Sequence, residues 1–339
     1  MRILVTGGAG FIGSNLTHAL RARGDDVVIF DNLERPGSER NLAWLHSHHG
    51  DLSLVHGDIR DAAALVAATA DVDAVVHLAG QVAVTTSVHN PRADFEVNAL
   101  GTFNVLEAAR AAAKPPIVLY ASTNKVYGGM EDTTIIETPS RYAYADLPRG
   151  IPETQPVDFH SPYGCSKGAG DQYVRDYHRI YGLRTLVFRQ SAIYGPRQFG
   201  VEDQGWLAHF VIATHLGRSI SIYGDGKQVR DILYIDDLVD AYTIALDRID
   251  DVAGRIYNIG GGADRTIAIW SEFVLLLREL AGREIAEPRF DAWRPGDQRV
   301  AILDTTRAEA DLDWHPKVEV ADGVQRLWHW VAANRALFV

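Results

Sequence analysis

The stretch Thr6-Gly7-Gly8-Ala9-Gly10-Phe11-Ile12-Gly13 lies between a short apolar run and an amphipathic stretch near the start of the chain. It matches G-x-G-x-x-G through Gly8, Gly10 and Gly13, and G-x-x-G-x-x-G when Gly7 is the first glycine. Between a strand and a helix, such glycines permit a tight turn, close backbone approach to a pyrophosphate and close packing of helix on strand. The N–H groups of the helix N-terminus then hold the phosphates. The stretch therefore predicts a dinucleotide site at the first strand–helix turn.

Short runs rich in Val, Ile and Leu alternate with longer amphipathic stretches on both sides of this loop. Continuous apolar runs fit strands that are buried on both faces of a parallel sheet. Their alternation with helical patterns predicts an α/β fold with a Rossmann-type, doubly wound parallel sheet. The predicted strands are residues 2–6, 26–30, 52–56, 74–78, 117–121 and 184–189. The predicted helices are residues 11–23, 61–69, 91–113 and 163–181.

The chain of 339 residues has room for about two domains at roughly 150 residues each. The regular alternation ends near residue 190, and Gly, Pro, Gln and aromatic residues become dense afterwards. We predict a dinucleotide-binding domain over 1–190 and a smaller α/β substrate-binding domain over 191–339. Segments within about 232–260 are expected to return to the first domain.

Composition excludes several classes of partner. The formal charge is 33 − 44 = −11, which argues against duplex nucleic acid or an anionic membrane surface as the main partner. The single cysteine, Cys165, cannot form an intrachain disulfide or a cysteine zinc cluster. The sequence lacks a run of about 18 uncharged apolar residues, so we expect no transmembrane helix and a cytoplasmic location. No metal is expected, since the histidine cluster around His48 is interpreted as solvated.

An acidic residue ends the second predicted strand. Asp31 follows Gly13 by eighteen positions, where a carboxylate can bind the adenosine ribose diol and repel a 2′-phosphate. NAD is therefore favoured over NADP. Asp58, after the third strand, either faces the adenine or caps the helix that begins near Asp61, and the sequence leaves both interpretations open.

A tyrosine and a lysine four residues apart open the helical stretch 163–181. Tyr163 and Lys167 would lie on one helix face. Tyrosine has a pKa of about 10, and we expect the neighbouring ammonium and a nicotinamide cation to lower it. The phenolate could then take a sugar hydroxyl's proton while a hydride leaves. Thr123, at the carboxyl edge of the sheet where ligands bind, could orient that hydroxyl.

In this combination the chain resembles the extended short-chain dehydrogenase/reductase family of nucleotide-sugar epimerases and dehydratases. The resemblance covers nearly the whole length, through TGGAGFIGSNL, HLAGQVAVTTSVHNP, STNKVYG, SPYGCSK, IYGPRQ, GDGKQVRD and NIGG. It implies an NAD-dependent enzyme in which Thr123, Tyr163 and Lys167 are catalytic. The cofactor-binding residues expected are Gly7, Gly10, Phe11, Ile12, Gly13, Asp31, Asn32, Asp58, Ile59, Leu78, Ala79, Gly80, Gln81, Asn98, Ser122, Tyr163 and Lys167.

The second half carries the polar groups that a sugar diphosphate needs. Between residues 184 and 230 six basic residues accompany three acidic ones, and arginine binds phosphate oxygens in bidentate fashion. By the resemblance, Arg230 and Arg299 reach the diphosphate, with Arg197 as a third candidate. The substrate-binding residues expected are Gln81, Thr85, Thr123, Asn124, Arg189, Arg197, Gln204, Arg230 and Arg299.

One local departure from the family's sequence pattern distinguishes dehydration from epimerisation. Sugar 4,6-dehydratases of the family carry Asp-Glu directly after the catalytic threonine, whereas this chain has Asn124 and Lys125. An amide and an ammonium cannot replace paired carboxyl groups as acid and base, so dehydration is disfavoured and epimerisation favoured.

Several segments are most similar to family members that act on carbon 2 of CDP-3,6-dideoxyhexoses, among them GQVAVTTS and DFHSPYGCSKGAGDQY. The expected function is therefore epimerisation of such a nucleotide sugar. Three alternatives stay open: epimerisation at another carbon of a UDP-, GDP- or dTDP-sugar, the disfavoured 4,6-dehydration, and a catalytically silent NAD-binding regulator. The resemblance also implies a homodimer, paired through the helices from residues 91 and 163, one of which would present a small face at Ala108, Ala109 and 111–113.

Overall fold

The computed structural model describes residues 1–294 and 296–339. The strands are β1 (Arg2–Thr6), β2 (Asp26–Asp31), β3 (Ser53–His56), β4 (Ala74–His77), β5 (Ile117–Thr123), β6 (Ile135–Glu137), β7 (Tyr142–Tyr144), β8 (Thr185–Gln190), β9 (Ala192–Tyr194), β10 (Ser221–Tyr223), β11 (Val229–Tyr234), β12 (Ile256–Ile259), β13 (Thr266–Ala268), β14 (Arg289–Asp291) and β15 (Val300–Ala301). The helices are α1 (Phe11–Arg23), α2 (Ser38–His49), α3 (Ala62–Thr69), α4 (Val84–His89), α5 (Pro91–Phe95), α6 (Gly101–Ala111), α7 (Ser161–Tyr181), α8 (Trp206–Leu216), α9 (Ile235–Asp247), α10 (Ile249–Val252), α11 (Phe273–Ala281), α12 (Thr306–Leu312) and α13 (Val320–Ala333).

The central sheet has seven parallel strands in the order β12-β8-β5-β4-β1-β2-β3. The chain moves outward from β1 to β3, then returns to the other side of β1 for β4 and the remaining strands. Strand order therefore reverses between β1 and β4, and in open α/β sheets ligands bind at the carboxyl ends of the strands beside such a reversal. The predicted Rossmann-type parallel sheet is confirmed.

Both faces of this sheet are covered by helices, which explains the continuous apolar runs in the strands. On one face Val5 and Phe188 belong to a core with Leu16 of α1 and Tyr242 of α9. On the other face Tyr120 belongs to a second core, which α3, α6 and α7 complete. A strand buried on both sides has no polar alternation, as the sequence pattern indicated.

The second half of the chain contributes to the large sheet and also forms smaller ones. β12 is the edge strand of the central sheet beside β8, and α9 packs on α1. β13, β11 and β15 form a second sheet, with β9 on β11, and β10 pairs with β14. These small sheets, with the loops between them, lie beyond the carboxyl ends of β5 and β8 and bring residues 191–339 to the site.

Two predicted helices differ in detail from those observed. The predicted helix 91–113 is α5 and α6 joined by a π-helical turn at Glu96–Leu100. The helix predicted from residue 61 begins at Ala62, because the Asp61 carboxylate accepts hydrogen bonds from the N–H groups of Ala63 and Ala64. Asp61 is thus the helix cap, which removes that role from Asp58. None of the helices in the described ranges is long and apolar enough to span a membrane.

Candidate active site

The glycine loop is tightly folded against its own backbone. Gly7 has a φ of +71°, a left-handed conformation that favours glycine. A Cβ on Gly13 would lie 2.0 Å from the Gly7 carbonyl oxygen, so only glycine fits where α1 packs on the loop. The first turn of α1 contains no acidic residue. Its free N–H groups and positive dipole end are therefore available to an anion.

Asp31 joins the end of β2 to this loop. Its carboxylate is nearly buried and accepts hydrogen bonds from the N–H groups of Ala9 (3.0 Å) and Leu33 (2.8 Å). Burial raises its pKa against the effect of these two bonds. A carboxylate has about four acceptor positions, so two remain for a ribose diol, as the sequence analysis predicts.

The polar pair Asn32 and Asp58 lies at the ends of β2 and β3. Asp58 accepts from Arg60 Nε at 2.9 Å and from Asn32 Nδ2 at 3.4 Å. The Arg60 hydrogen bond, with its charge, lowers the pKa of Asp58. Asp58 is thus ionised and anchored beside Asn32, and its contact with adenine stays a prediction. Ile59, also predicted at the cofactor, is buried against Gly101.

The segment Leu78–Gln81 after β4 lies directly against the glycine loop. A Cβ on Gly7 would be 2.8 Å from the Ala79 backbone nitrogen. Asn98, in the π-helical turn, accepts from Gln81 N–H and donates to the Gln81 carbonyl, both at 3.0 Å. Gly80 lies next to the Asn98 amide and near Lys167 Nζ. The loops after β1 and β4 therefore meet at the site.

The Gln81 side chain cannot donate a hydrogen bond to a substrate, which limits the substrate contact predicted for it. Its amide nitrogen donates to the Ala83 carbonyl at 2.8 Å and to Asp94 at 3.0 Å, and its amide oxygen accepts from Ala83 N–H. Both amide hydrogens are therefore used within the chain, and the side chain has none left for a sugar.

Tyr163, Lys167 and Thr123 come together as predicted from the sequence. Thr123 is the last residue of β5, and Tyr163 and Lys167 lie one turn apart near the start of α7. Lys167 Nζ donates to the Ala121 carbonyl at 2.5 Å and lies 4.3 Å from the centre of the Tyr120 ring. All three side chains are buried. The lysine is thus held against the carboxyl end of β5, beside the tyrosine.

The protonation states differ from those predicted. Burial raises the pKa of Tyr163 to about 12, and Asp94 adds to this, while a hydrogen bond with Thr123 and the charge of Arg35 oppose it. Burial lowers the pKa of Lys167 to about 7, although Asp171 and Asp94 favour the ammonium. The expected lowering of the tyrosine pKa by Lys167 is therefore not found in the protein alone, where burial sets the direction and Thr123 and Arg35 are the groups that oppose it.

A cleft of about 210 Å³ opens in front of this group. Phe11 and Ile12 of α1 line one side, and Gln198, Gln204 and Trp206 line the other, with Ser122, Thr123 and Tyr163 at its end. Gln198 was not predicted. Its side-chain oxygen is buried without a hydrogen-bond partner among the described residues, as is the hydroxyl of Thr85. An orphaned acceptor such as Gln198 Oε1 beside the cleft is suited to a polar ligand, whereas Thr85 does not line this cleft.

A basic cluster forms where β11, the turn after β5 and the segment before β15 meet. Arg230 donates to Asp297 at 2.8 Å, and Lys125 Nζ lies 3.6 Å from the same carboxylate. The charge of Arg294 also acts on Asp297 and Lys125. Arg294 also pairs with Asp203, so three cations face two carboxylates, and the positive charge that remains suits a diphosphate. Sequence reasoning selected Arg230 but missed Lys125 and Arg294, because only the fold brings them together.

The other arginines predicted for substrate lie elsewhere. Arg189 is 3% exposed and binds Asp171 through Nε and Nη2, both at 2.9 Å, and Tyr127 through Nη1. Three of its five N–H donors are used in these buried contacts, and its predicted contact with substrate stays a prediction. Arg197 lies over the rings of Trp44 and Trp330, which separates it from the basic cluster. Arg299 lies over the Tyr142 and Trp293 rings, and its contact with a phosphate stays a prediction.

A larger cavity of about 400 Å³ lies between α7 and α12. Its arginines are mostly compensated by carboxylates: Arg255 contacts Asp311, and Arg307 lies 3.8 Å from Glu153. The catalytic side chains do not line it. The cleft at Tyr163, although smaller, is therefore the candidate active site.

The turn after Thr123 carries an amide and an amine where sugar 4,6-dehydratases of the family carry two carboxyl groups. Asn124 accepts a hydrogen bond of 3.4 Å from Thr123 Oγ1, and Lys125 N–H donates to the same hydroxyl at 3.3 Å. Ser122 donates to Asp171 at 2.7 Å. The positions beside the catalytic threonine thus supply an amide and an ammonium.

This fold and site define a dinucleotide-dependent enzyme of the Tyr–Lys type that acts on hydroxyl groups. Residues 3–260 match the model of the NAD dependent epimerase/dehydratase family. The chain belongs to the NAD dependent epimerase/dehydratase family.

Similar proteins include epimerases and dehydratases of nucleotide sugars. The chain is 43% identical to CDP-paratose 2-epimerase of Salmonella typhi over 98% of its length and 100% of that protein. It is 36% identical to UDP-glucose 4-epimerase of Mycolicibacterium smegmatis, over 96% of this chain and 97% of that one. A solved dTDP-glucose 4,6-dehydratase from Streptomyces venezuelae, with NAD and TYD bound, superposes with a TM-score of 0.85 at 34% identity, covering 99% of this chain and 98% of that one.

The cofactor of this family is NAD, and the residues present fit it. The glycine loop excludes a Cβ where a pyrophosphate approaches, and the N-terminus of α1 offers free N–H groups. Asp31 keeps acceptor positions for the ribose. When bound, NAD accepts a hydride from the substrate and can return it.

Proposed function

We propose that this protein epimerises carbon 2 of a CDP-3,6-dideoxyhexose, converting CDP-paratose to CDP-tyvelose. The observation that carries the proposal is the 43% identity to CDP-paratose 2-epimerase along both whole chains, against 36% to the UDP-glucose 4-epimerase. The motifs of the catalytic region lie within this likeness.

In the proposed reaction Tyr163 takes the proton of the C2 hydroxyl as C2 loses its hydride, for which bound NAD would be the acceptor. Carbon 2 becomes a carbonyl, and Thr123 and Tyr163 hydrogen-bond to its oxygen. The keto sugar turns in the cleft and presents its other face. Tyr163 then gives its proton back to the oxygen as C2 regains the hydride, which bound NAD would return to this other face. The sugar is neither oxidised nor reduced overall, and only the configuration at C2 changes.

The side chains beside Thr123 support epimerisation rather than loss of water. Dehydration requires an acid for the leaving hydroxyl and a base for the adjacent carbon, and Asn124 and Lys125 offer neither a carboxylic acid nor a carboxylate. Lys125 lies instead with Arg230 around Asp297, where its charge favours the diphosphate.

In this proposal the cofactor-binding residues are those of the sequence prediction. The substrate is held by Thr85, Asn124, Gln204, Arg230 and Arg299, with Lys125, Gln198 and Arg294 added from the geometry. The enzyme acts in the cytoplasm as a homodimer.

The test incubates the purified protein and NAD with CDP-paratose, and separately with UDP-, GDP- and dTDP-sugars, and identifies products by NMR. We expect inversion at C2 of CDP-paratose. With deuterium at C2 the label should stay on C2, because the hydride is removed and returned. Inversion at C4 of UDP-glucose or UDP-glucuronate alone would make the protein a 4-epimerase, and no turnover of any nucleotide sugar would favour an NAD-binding regulator.

A further inference from the structure

Asp94, in α5, is a buried carboxylate that the reaction above does not use. It is 1% exposed, and no Lys or Arg nitrogen of the described chain lies within 4 Å of it. Burying an ionised carboxylate without a contacting cation costs several kcal/mol unless hydrogen bonds and nearby charges offset it. The presence of this group beside the catalytic helix therefore requires an explanation.

Three donors from three parts of the chain converge on this carboxylate. Ser166 Oγ donates at 2.6 Å, Gln81 Nε2 at 3.0 Å and Asn98 Nδ2 at 3.1 Å. Ser166 lies in α7 next to Lys167, Gln81 follows β4, and Asn98 lies in the π-helical turn. Asp94 thus ties the catalytic helix to the loop against which the cofactor binds, and π-helical turns frequently occur at functional sites.

The negative charge of Asp94 acts on both catalytic residues. It favours the ammonium of Lys167 together with Asp171, the other carboxylate that faces the lysine. It also disfavours the phenolate of Tyr163. The remaining titratable groups around Lys167 are His77 of β4 and Tyr120 of β5, and burial keeps both uncharged. Asp94 and Asp171 are therefore the anions that oppose the desolvation of Lys167.

We propose that Asp94 is a positioning residue of this active site: it fixes the start of α7 against the loop after β4 and supplies negative charge that keeps Lys167 an ammonium. This inference holds for oxidation of any hydroxyl by Tyr163, so it deepens the proposed function without depending on the sugar. Asn at this position would keep most of the hydrogen bonds and remove the charge.

Five lysines in the chain make a direct titration of Lys167 practicable. The protein is labelled with 13C-lysine and saturated with NAD, and the Cε resonance of Lys167 is assigned by its loss in Lys167→Met. We expect Asp94→Asn to lower the pKa of Lys167 by about one unit, because a nearby negative charge is removed. The control is Asp176→Asn, an exposed carboxylate of the same helix, which should leave the titration unchanged. The titration needs no sugar, so its result is independent of whether CDP-paratose is the substrate.

Kinetic measurements on whichever nucleotide sugar the protein accepts separate the effect of the Asp94 charge from the effect of its hydrogen bonds on the position of α7. For Asp94→Asn we expect kcat to fall about tenfold or more, with its pH profile moved to lower pH. Ser166→Ala keeps the charge, so kcat should fall several-fold with an unmoved profile and an unchanged KM. A Lys167 titration of Asp94→Asn that coincides with wild type would overturn the proposal. If Asp94→Asn does not fold, Asp94→Glu and Ser166→Ala decide: wild-type kcat in both would also overturn it.

Discussion

At the scale of single residues, burial works against the charges that the chemistry requires. The pKa values of about 12 for Tyr163 and about 7 for Lys167 mean that the protein alone holds a neutral tyrosine and an incompletely charged lysine at neutral pH. A nicotinamide cation beside them favours the phenolate. The catalytic ionisation state is therefore produced by cofactor binding together with the fold, and not by the Tyr–Lys spacing alone.

Replacement of Tyr163 by Phe removes the proton acceptor and keeps the ring that fills the site. We expect kcat to fall by about 10² to 10⁴, with NAD affinity and thermal stability close to wild type. Steady-state kinetics measures kcat, and NAD titration measures the affinity for NAD. Tyr173→Phe, on the exposed side of the same helix, is the control and should keep full activity. Full activity of Tyr163→Phe would remove this residue from the mechanism.

His77 gives the protein an acid-sensitive residue next to the site. It is 1% exposed between Thr6 and Thr102, and burial with the charge of Lys167 lowers its pKa to about 3. The unfolded chain binds a proton near pH 6.5 and the folded one does not, so stability falls as pH drops below 6.5. The expected loss between pH 6.5 and 5 is about 2 kcal/mol.

Urea unfolding at pH 5, 6 and 7 tests this contribution of His77. Other buried groups also titrate, so the measured quantity is the difference in pH dependence between wild type and His77→Gln. The variant should be less stable at pH 7 and should lose less stability on acidification. His329→Gln, at an exposed position, should follow the wild-type curve. Parallel curves for wild type and His77→Gln would contradict the assignment.

At the scale of elements, the glycine loop and α1 form a unit that depends on contacts within the backbone. Gly13→Ala places a Cβ 2.0 Å from the Gly7 carbonyl oxygen, which cannot move without opening the loop. We expect NAD affinity to fall at least about tenfold, roughly 1.4 kcal/mol, as measured by calorimetric titration. Gly24→Ala is the control: it strains a left-handed residue at the end of α1, with nothing within 4 Å of the new Cβ, so stability falls while NAD affinity stays. Wild-type NAD affinity in Gly13→Ala would show that the loop tolerates the methyl group.

Local sequence patterns made the helices and strands predictable. Contacts between residues far apart in the sequence could not be predicted from those patterns. Most strand and helix positions in the first 190 residues follow from apolar periodicity, although α4, β6 and β7 were not predicted. Thr123, Tyr163 and Lys167 lie together because strand ends meet at one edge of the sheet. The ion pair of Arg189 with Asp171 was not predicted because the two residues lie on different elements. Lys125 and Arg294 were missed because Asp297 gathers them from distant segments. Apolar spacing contains no information about such pairing of charges.

At the scale of the whole molecule, the charge of −11 coexists with a basic cluster around Asp297, which includes Lys125 of the turn after Thr123. Of the cations there, Arg230 and Lys125 share Asp297, and Arg294 pairs with Asp203. Carboxylates outside the cleft provide the excess negative charge of the chain. We therefore expect a dianionic substrate to be bound by locally placed cations, with the net charge of the chain not opposing it at close range.

The predicted homodimer needs an apolar face, and the structure places it differently from the sequence prediction. Ala108 and Ala109 are buried in the core and offer no small outer face. Six large apolar side chains of α5, the π-helical turn, α6 and α7 are exposed instead: Phe95, Leu100, Phe103, Tyr173, Ile180 and Tyr181. The rings of Phe103 and Tyr173 lie 6.0 Å apart, so α6 and α7 share this surface. Exposed apolar clusters of this kind mark protein–protein contacts.

We expect light scattering to give about 75 kDa for the wild type, twice the 37.3 kDa of one chain. The double variant Phe103→Asp/Tyr173→Asp should be monomeric, because two carboxylates would have to be buried at the interface, while its circular dichroism stays that of the wild type. Phe290→Asp alters an exposed apolar residue on β14, away from these helices, and should leave the mass unchanged. A wild type that is monomeric at micromolar concentration, or a double variant that stays dimeric, would exclude this face as the dimer contact.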